Sequence, residues 1–271
     1  MMPIQQVCAQ GNGDTNTDNI TEIINCDESQ TLPAPSSIPP FTWSGTGVIT
    51  LWFDDAWISQ YTTAFPLMEK YGYKGAVAVA VKLVCYPQFM NWDQLRTLQN
   101  HGWETTAHTI MHNCDLGYYT TKITEHELAG SKQMIESHGL RADQFVMPCG
   151  YNGQQISSMF ENQHPPIIET AKKYFKSYRS THYLRLNSIP IIDPYNLNAF
   201  QLRNTTTDQD IQTMVNKTKT QHTWLIIVIH QIDDTNRPFS ITQDKFVNML
   251  NMIKASKLPV VLPSQVLAIK R

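Results

Sequence analysis

Charge is scarce in this chain of 271 residues: 16% are Asp, Glu, Lys or Arg, and 21 basic against 23 acidic residues leave a formal net charge of -2. No basic run occurs, which argues against nucleic acid or an anionic membrane surface as a partner. No stretch of about 18 apolar residues is present either, so nothing reads as a membrane span. Five cysteines show no Cys-x-x-Cys spacing, which speaks against a structural zinc site. The odd total leaves at least one thiol unpaired within the chain. Cys8 and Cys26 can close a loop of their own, whereas Cys85, Cys114 and Cys149 fall in the folded part. The first ten residues also lack the apolar core of an export signal.

Residues 1–43 read as a polar, low-complexity segment, with Asn, Thr, Asp, Ser and Pro dominating from Gly11 to Pro40. Such a composition cannot bury enough apolar surface to fold alone. We read it as a tether ahead of one catalytic domain over residues 44–271. That layout suits a secreted, periplasmic or cell-surface protein whose export signal has been removed; a cytosolic protein is the alternative.

From Val48 onward, short β-branched runs alternate with amphipathic helical ones. Strands are expected at 48–53, 75–81, 103–109, 144–148, 176–181, 199–203, 224–230 and 258–262. Helices are expected over 59–71, from a Thr124–Glu127 capping box to Gly139, from Thr207 and from Thr242. Repeated strand–helix units need long crossovers and imply a parallel sheet. Seven to eight parallel strands suggest an α/β fold of the irregular or incomplete (β/α) barrel type, with a doubly wound open sheet as the alternative.

Polar residues cluster where these strands end. Asp54 and Asp55 follow the first strand, His108 and His112 the third, Pro148-Cys149-Gly150 the fourth, and His230 the seventh. That rim is where a parallel barrel gathers its active site. Asp54 and Asp55 are wedged between Leu51-Trp52-Phe53 and Ala56-Trp57, so one carboxylate can bind a metal while its neighbour serves as a base. Two imidazoles four residues apart can share a cation on a helix or tight turn. Two His and one Asp leave open positions for water and substrate, the usual arrangement of a hydrolytic or oxidative metal site. His230, ending the run from Trp224 to Ile229, suits a titrating role.

Together these residues resemble the polysaccharide deacetylases, the NodB-homology group also called carbohydrate esterase family four. The first family motif, Thr-Phe-Asp-Asp-Gly, is similar to Trp52-Phe53-Asp54-Asp55-Ala56. The second, His-Ser/Thr-x-x-His with a following Asp-Leu, is similar to the His108 to His112 run with Asp115-Leu116. The third resembles Met147-Pro148-Cys149-Gly150-Tyr151, and the fifth Val228-Ile229-His230. The resemblance implies that Asp55, His108 and His112 hold a divalent metal, Zn first, with Co, Mn, Ni or Fe as alternatives. It makes Asp54 the base, His230 the acid, the Cys149 amide an oxyanion donor and Val228 a wall of the acetyl pocket. Trp57 and Tyr151 become sugar-stacking candidates.

The implied partner is an acetylated polysaccharide or oligosaccharide. The implied activity is N-deacetylation of peptidoglycan, chitin or poly-N-acetylglucosamine. O-acetyl esterase activity, or glycan binding without catalysis, are the alternatives. Four departures stand out. Ala56 replaces a Gly, Val146 and Met147 stand where an Arg braces the base, Cys149 replaces a Tyr, and the fourth motif lacks its Asp. Asp193 and Asp208 are the nearest substitutes for that Asp.

Overall fold

The computed structural model describes residues 37–116, 119–150, 167–181 and 185–270. Residues 1–36 of the expected tether, with the Cys8–Cys26 pairing, lie outside the described residues, as does Tyr151; Phe41 and Trp43 of its last part pack against the inner cluster of buried residues.

The first strand, β1 (Val48–Phe53), is buried at every position, as a strand covered on both faces must be. A π-helical turn, Gln60–Ala64, runs directly into α1 (Phe65–Tyr71), which ends at Gly72 with φ 70. There follow β2 (Ala76–Val79), α2 (Trp92–Asn100), β3 (Glu104–Ala107), α3 (Thr121–Ser137) and β4 (Gln144–Val146). The second half is made of α4 (Ile167–Tyr174), β5 (Ser177–Arg179), β6 (Phe200–Gln201), α5 (Asp208–Gln221) and β7 (Trp224–Ile229). A small pair, β8 (Gln231–Ile232) and β9 (Ser240–Ile241), precedes α6 (Gln243–Ser256) and α7 (Pro263–Leu267).

Seven parallel strands form one sheet in the order β5-β4-β3-β2-β1-β7-β6. It curls into an incomplete (β/α) barrel. Its two edges approach through one short stretch: Leu197 donates to the Tyr178 carbonyl at 3.2 Å and accepts from Ser180 at 3.1 Å. Three residues later the same stretch becomes β6, on β7. The eighth expected strand, at 258–262, does not form. Only an isolated bridge joins Val260 to Ile49.

Alternation along β1 separates two cores. Ile49, Leu51 and Phe53 pack outward with Met68, Leu95, Leu128 and Phe246 under the helices. Val48 and Trp52 join Val146, Trp224, Ile226 and Val228 in a smaller inner cluster. One expectation about helix starts is corrected. The helix after the third strand begins at Thr121, capped by Thr120, so Thr124 and Glu127 lie inside it and form no capping box. Thr207 and Thr242 do cap α5 and α6.

Candidate functional site

The rim at the C-terminal ends of β1, β3, β4 and β7 brings five expected residues together. After Phe53 the chain turns sharply, with Asp55 at φ 73 and Ala56 at φ 59. The position where the family pattern has Gly is therefore a left-handed one, and Ala56 holds it at a steric cost of about 1–2 kcal/mol. The turn is stitched in place by Gln60, whose buried amide donates to the carbonyls of Asp54 (2.6 Å) and His230 (3.1 Å). Nothing in the sequence singled out Gln60, because its partners are backbone oxygens of two distant strands.

His108 Nδ1 donates to the Val146 carbonyl at 2.8 Å. A carbonyl cannot donate, so this contact fixes the tautomer and leaves a lone pair on Nε2. That Nε2 lies 3.2 Å from Asp55 Oδ1, and His112 Nε2 lies 3.0 Å from the same oxygen. Asp55 Oδ1 is buried and receives no hydrogen bond of proper geometry. Buried polar atoms left in this state are rare. Ligand atoms of Asp55, His108 and His112 all lie within 4.8 Å of one another. With neutral imidazoles an anionic oxygen facing their lone pairs is repulsive until a cation sits between them, so this donor set fits a divalent ion; without one, a proton on an imidazole takes that place. The other carboxylate oxygen, Oδ2, accepts from Trp57 Nε1 at 3.0 Å, and His230 Nε2 lies 3.9 Å away. Burial pushes the Asp55 carboxyl up. The His112 charge, together with the imidazoles of His108 and His112 at its oxygen, outweighs burial and holds it well below the usual carboxylate range.

The segment joining the two imidazoles is a turn, with Thr109 at φ 66 and His112 at φ 54. Glu127, buried on α3, accepts from the amides of Ile110 and Met111, both at 2.9 Å. Thr109 Oγ1 accepts from the His112 amide at 3.0 Å. The Thr-x-x-Glu spacing that suggests a helix cap instead delivers a carboxylate to this turn.

Asp54 is 2% exposed and is ion-paired to Arg179, which is fully buried and stacks its guanidinium 4.9 Å over the Trp52 ring. The sheet register sets Arg179 opposite Val146. An arginine thus braces the first aspartate after all, from the strand next to the one where the motif places it. A single-strand motif search does not see it.

The fourth-motif substitutes do not reach the site. Asp193 caps its own turn by accepting from the Tyr195 amide, and Asp208 binds Asn248 at the start of α5. His230 packs against the Phe239 ring (5.4 Å), over which Arg203 lies, and its buried Nδ1 has no hydrogen-bond partner. Burial lowers the His230 pKa; Asp55 and Asp54 oppose the shift without reversing it.

Of the remaining expected residues, Val228 is fully buried in the inner cluster beside Trp52. Trp57 stacks on Phe89 with ring centres 4.3 Å apart, so one of its faces is already covered. Cys149 stands exposed at φ 59, and its sulfur is bonded to Cys114. At Gly150 (φ 73) an added Cβ would lie 1.6 Å from Thr181 Oγ1, so only glycine allows this loop to lie against the chain after β5.

The polysaccharide deacetylase family model matches residues 44–162, the stretch that carries β1 to β4 and both imidazoles. The chain is thus similar to that family over less than half of its length. A Bacillus subtilis (strain 168) protein described as a "Putative polysaccharide deacetylase" is 27% identical over 89 residues, 33% of this chain and 32% of that protein. The match therefore spans about a third of that relative. Among solved structures, the carbohydrate esterase four domain of a multidomain xylanase, from the hindgut metagenome of Trinervitermes trinervoides, superposes with a TM-score of 0.53. It is 14% identical, over 82% of this chain and 89% of that one. A pseudoenzyme of the same family from Bacillus anthracis gives 0.54 at 13% identity, over 87% and 71%. At such identities these likenesses speak to the fold alone.

Proposed function

We propose that the chain is a metal-dependent hydrolase that removes acetyl groups from a polysaccharide, with N-deacetylation as the leading reaction. The observation that carries this reading is the buried Asp55 Oδ1 facing the Nε2 atoms of His108 and His112 at the rim of a deacetylase-type barrel. Asp55, His108 and His112 hold one divalent ion, Zn first among Zn, Co, Mn, Ni and Fe. Such an ion polarises an acetyl carbonyl and lowers the pKa of a bound water to about 7.

The chain's own groups do the rest. Asp54, held in place by Arg179, accepts the proton of the attacking water. The Cys149 amide donates to the oxygen that becomes negative as the carbonyl carbon turns tetrahedral. His230 gives a proton to the departing nitrogen or oxygen. Val228 borders the methyl group, and Trp57 and Tyr151 offer aromatic surface to the sugar. Peptidoglycan, chitin and poly-N-acetylglucosamine are the substrates to try first. The Cys114–Cys149 disulfide supports a secreted or cell-surface location, since such bonds persist in oxidising compartments. The domain spans residues 44–271, and residues 1–43 tether it.

Acetate release should be followed on a panel of acetylated glycans, with and without chelator. Release that chelation abolishes and added Zn²⁺ restores is the expected result. Tight glycan binding with no release would make the chain a sugar-binding member of the family instead.

One observation favours a second reading, O-acetyl ester hydrolysis. An amide nitrogen must be protonated as it leaves, and no carboxylate reaches the buried His230 Nδ1, while Asp55 and Asp54 do not outweigh the burial that disfavours its charged form. Its lowered pKa predicts amide turnover that fades at a lower pH than an ordinary histidine would give, while aryl-ester turnover persists. His230→Ala should cost amide turnover on the order of 10²-fold or more and aryl-ester turnover far less. Equal losses on both would remove His230 from the acid role.

A further inference from the structure

Cys149 and Cys114 join the loop after β4 to the loop after His112, with their Cα atoms 5.3 Å apart. Neither sulfur has a part in the deacetylation chemistry. His112 stands between this bond and Asp55, and one of its ring nitrogens lies within 4.8 Å of both sulfurs, which belong to the same short-range group. Cys149 is exposed, and Cys114 and His112 are half-buried, so a reductant can reach the bond.

We propose that this disulfide conceals a second metal site. Reduced, Cys114 and Cys149 form with His112 a Cys₂His set for a thiolate-seeking divalent cation such as Zn²⁺. Zinc takes sulfur at about 2.3 Å and imidazole nitrogen at about 2.0–2.1 Å, and leaves a fourth position for water. Tetrahedral ligands at those lengths lie about 3–4 Å from each other, so on reduction the two bonded sulfurs must part while His112, already within 4.8 Å of both, needs only a small movement. The reductant is a dithiol: it gives two electrons and two protons, becomes a disulfide itself, and leaves each cysteine as a thiol. On metal binding each thiol releases its proton to water. Because soft thiolates compete strongly for zinc, the new set draws His112 away from Asp55 and His108. Only that competition rests on the proposed function; the Cys₂His set stands without it.

The test uses Co²⁺ as the probe in an Asp55→Asn/His108→Ala variant, which removes the first ligand set and keeps His112. After reduction and anaerobic removal of the dithiol, about one Co²⁺ per chain should bind. It should show thiolate-to-cobalt charge-transfer absorption in the near ultraviolet, and Cys114→Ser or Cys149→Ser in the same background should abolish that band. The oxidised variant should bind none. A reduced variant without the band, or a band that survives loss of either cysteine, overturns the proposal. X-ray absorption on the reduced parent chain loaded with Zn²⁺ guards against a variant that fails to fold. Zinc–sulfur scattering at about 2.3 Å supports the site, and a nitrogen-and-oxygen shell alone overturns it. Failure of the functional reading looks different: the oxidised parent would bind no Co²⁺ at all, whatever the reduced variant does.

Discussion

Two buried carboxylates at opposite ends of the same barrel meet opposite fates. At the C-terminal rim Asp55 sits among three histidines, and its pKa is held well below the usual range. At the other end Glu104, first residue of β3, is 1% exposed and accepts from the Ser264 amide at 3.1 Å. Burial there pushes its pKa up to about 7. Both carboxylates are buried; what differs is how many imidazoles have been brought to each. A barrel can bury an acid anywhere. Only at the rim do loops from several strands converge to supply its partners.

The largest expected effect breaks the rim itself. If Asp54 is the base and Asp55 a ligand, Asp54→Asn should retain its metal while losing on the order of 10²–10⁴ in turnover. Asp55→Asn should lose both. Metal content by elemental analysis, set beside turnover, distinguishes the two. Metal lost from Asp54→Asn and kept by Asp55→Asn would exchange their roles.

Next in size is the brace. Arg179→Met leaves the Asp54 carboxylate buried without its cation, and breaking a buried pair from one side costs about 3–5 kcal/mol. Arg179→Lys keeps the charge but loses the planar stacking on Trp52 and should recover part of that loss. Denaturant midpoints measure both, and turnover in the folded fraction should fall with KM little changed. Should Arg179→Met unfold at the parent's midpoint, the pair would contribute nothing to holding Asp54.

The two ends also differ in how far the sequence disclosed them. Asp54, Asp55, His108, His112 and His230 were legible because each falls at or just beyond the C-terminal end of an expected strand. Their roles in chemistry, though, come from resemblance and not from spacing. Arg179 was not legible, since its relation to Asp54 runs through the β4–β5 register and not along the chain. Glu127 misled, because Thr-x-x-Glu is written the same way for a helix cap and for a helix interior that reaches across to a turn. The eighth strand failed for a related reason: the apolar run at 258–262 is the right length, but only Val260 pairs. Glu104 gave no signal, since a lone Glu at a strand start usually reads as solvated.

Glu104 supplies the smallest and sharpest test of the contrast. Its folded pKa of about 7 lies above the ordinary value of 4.5, so between those pH values the folded chain binds more protons than the unfolded one. Stability must then fall as pH rises. The contribution is fully present below about pH 4.5 and is lost by the time pH passes 7. At 1.36 kcal/mol per unit the full loss is on the order of 3 kcal/mol. Glu104→Gln keeps an oxygen for the Ser264 amide and has no charge to bury. It should match the parent near pH 4.5 and exceed it above pH 7, with the gap opening as pH rises. Urea midpoints at pH 5 and pH 8 suffice, because other titrating groups are common to both proteins and cancel in the difference. Parallel curves for parent and variant would mean that Glu104 stays charged at little cost, and that depth alone separates neither end of the barrel.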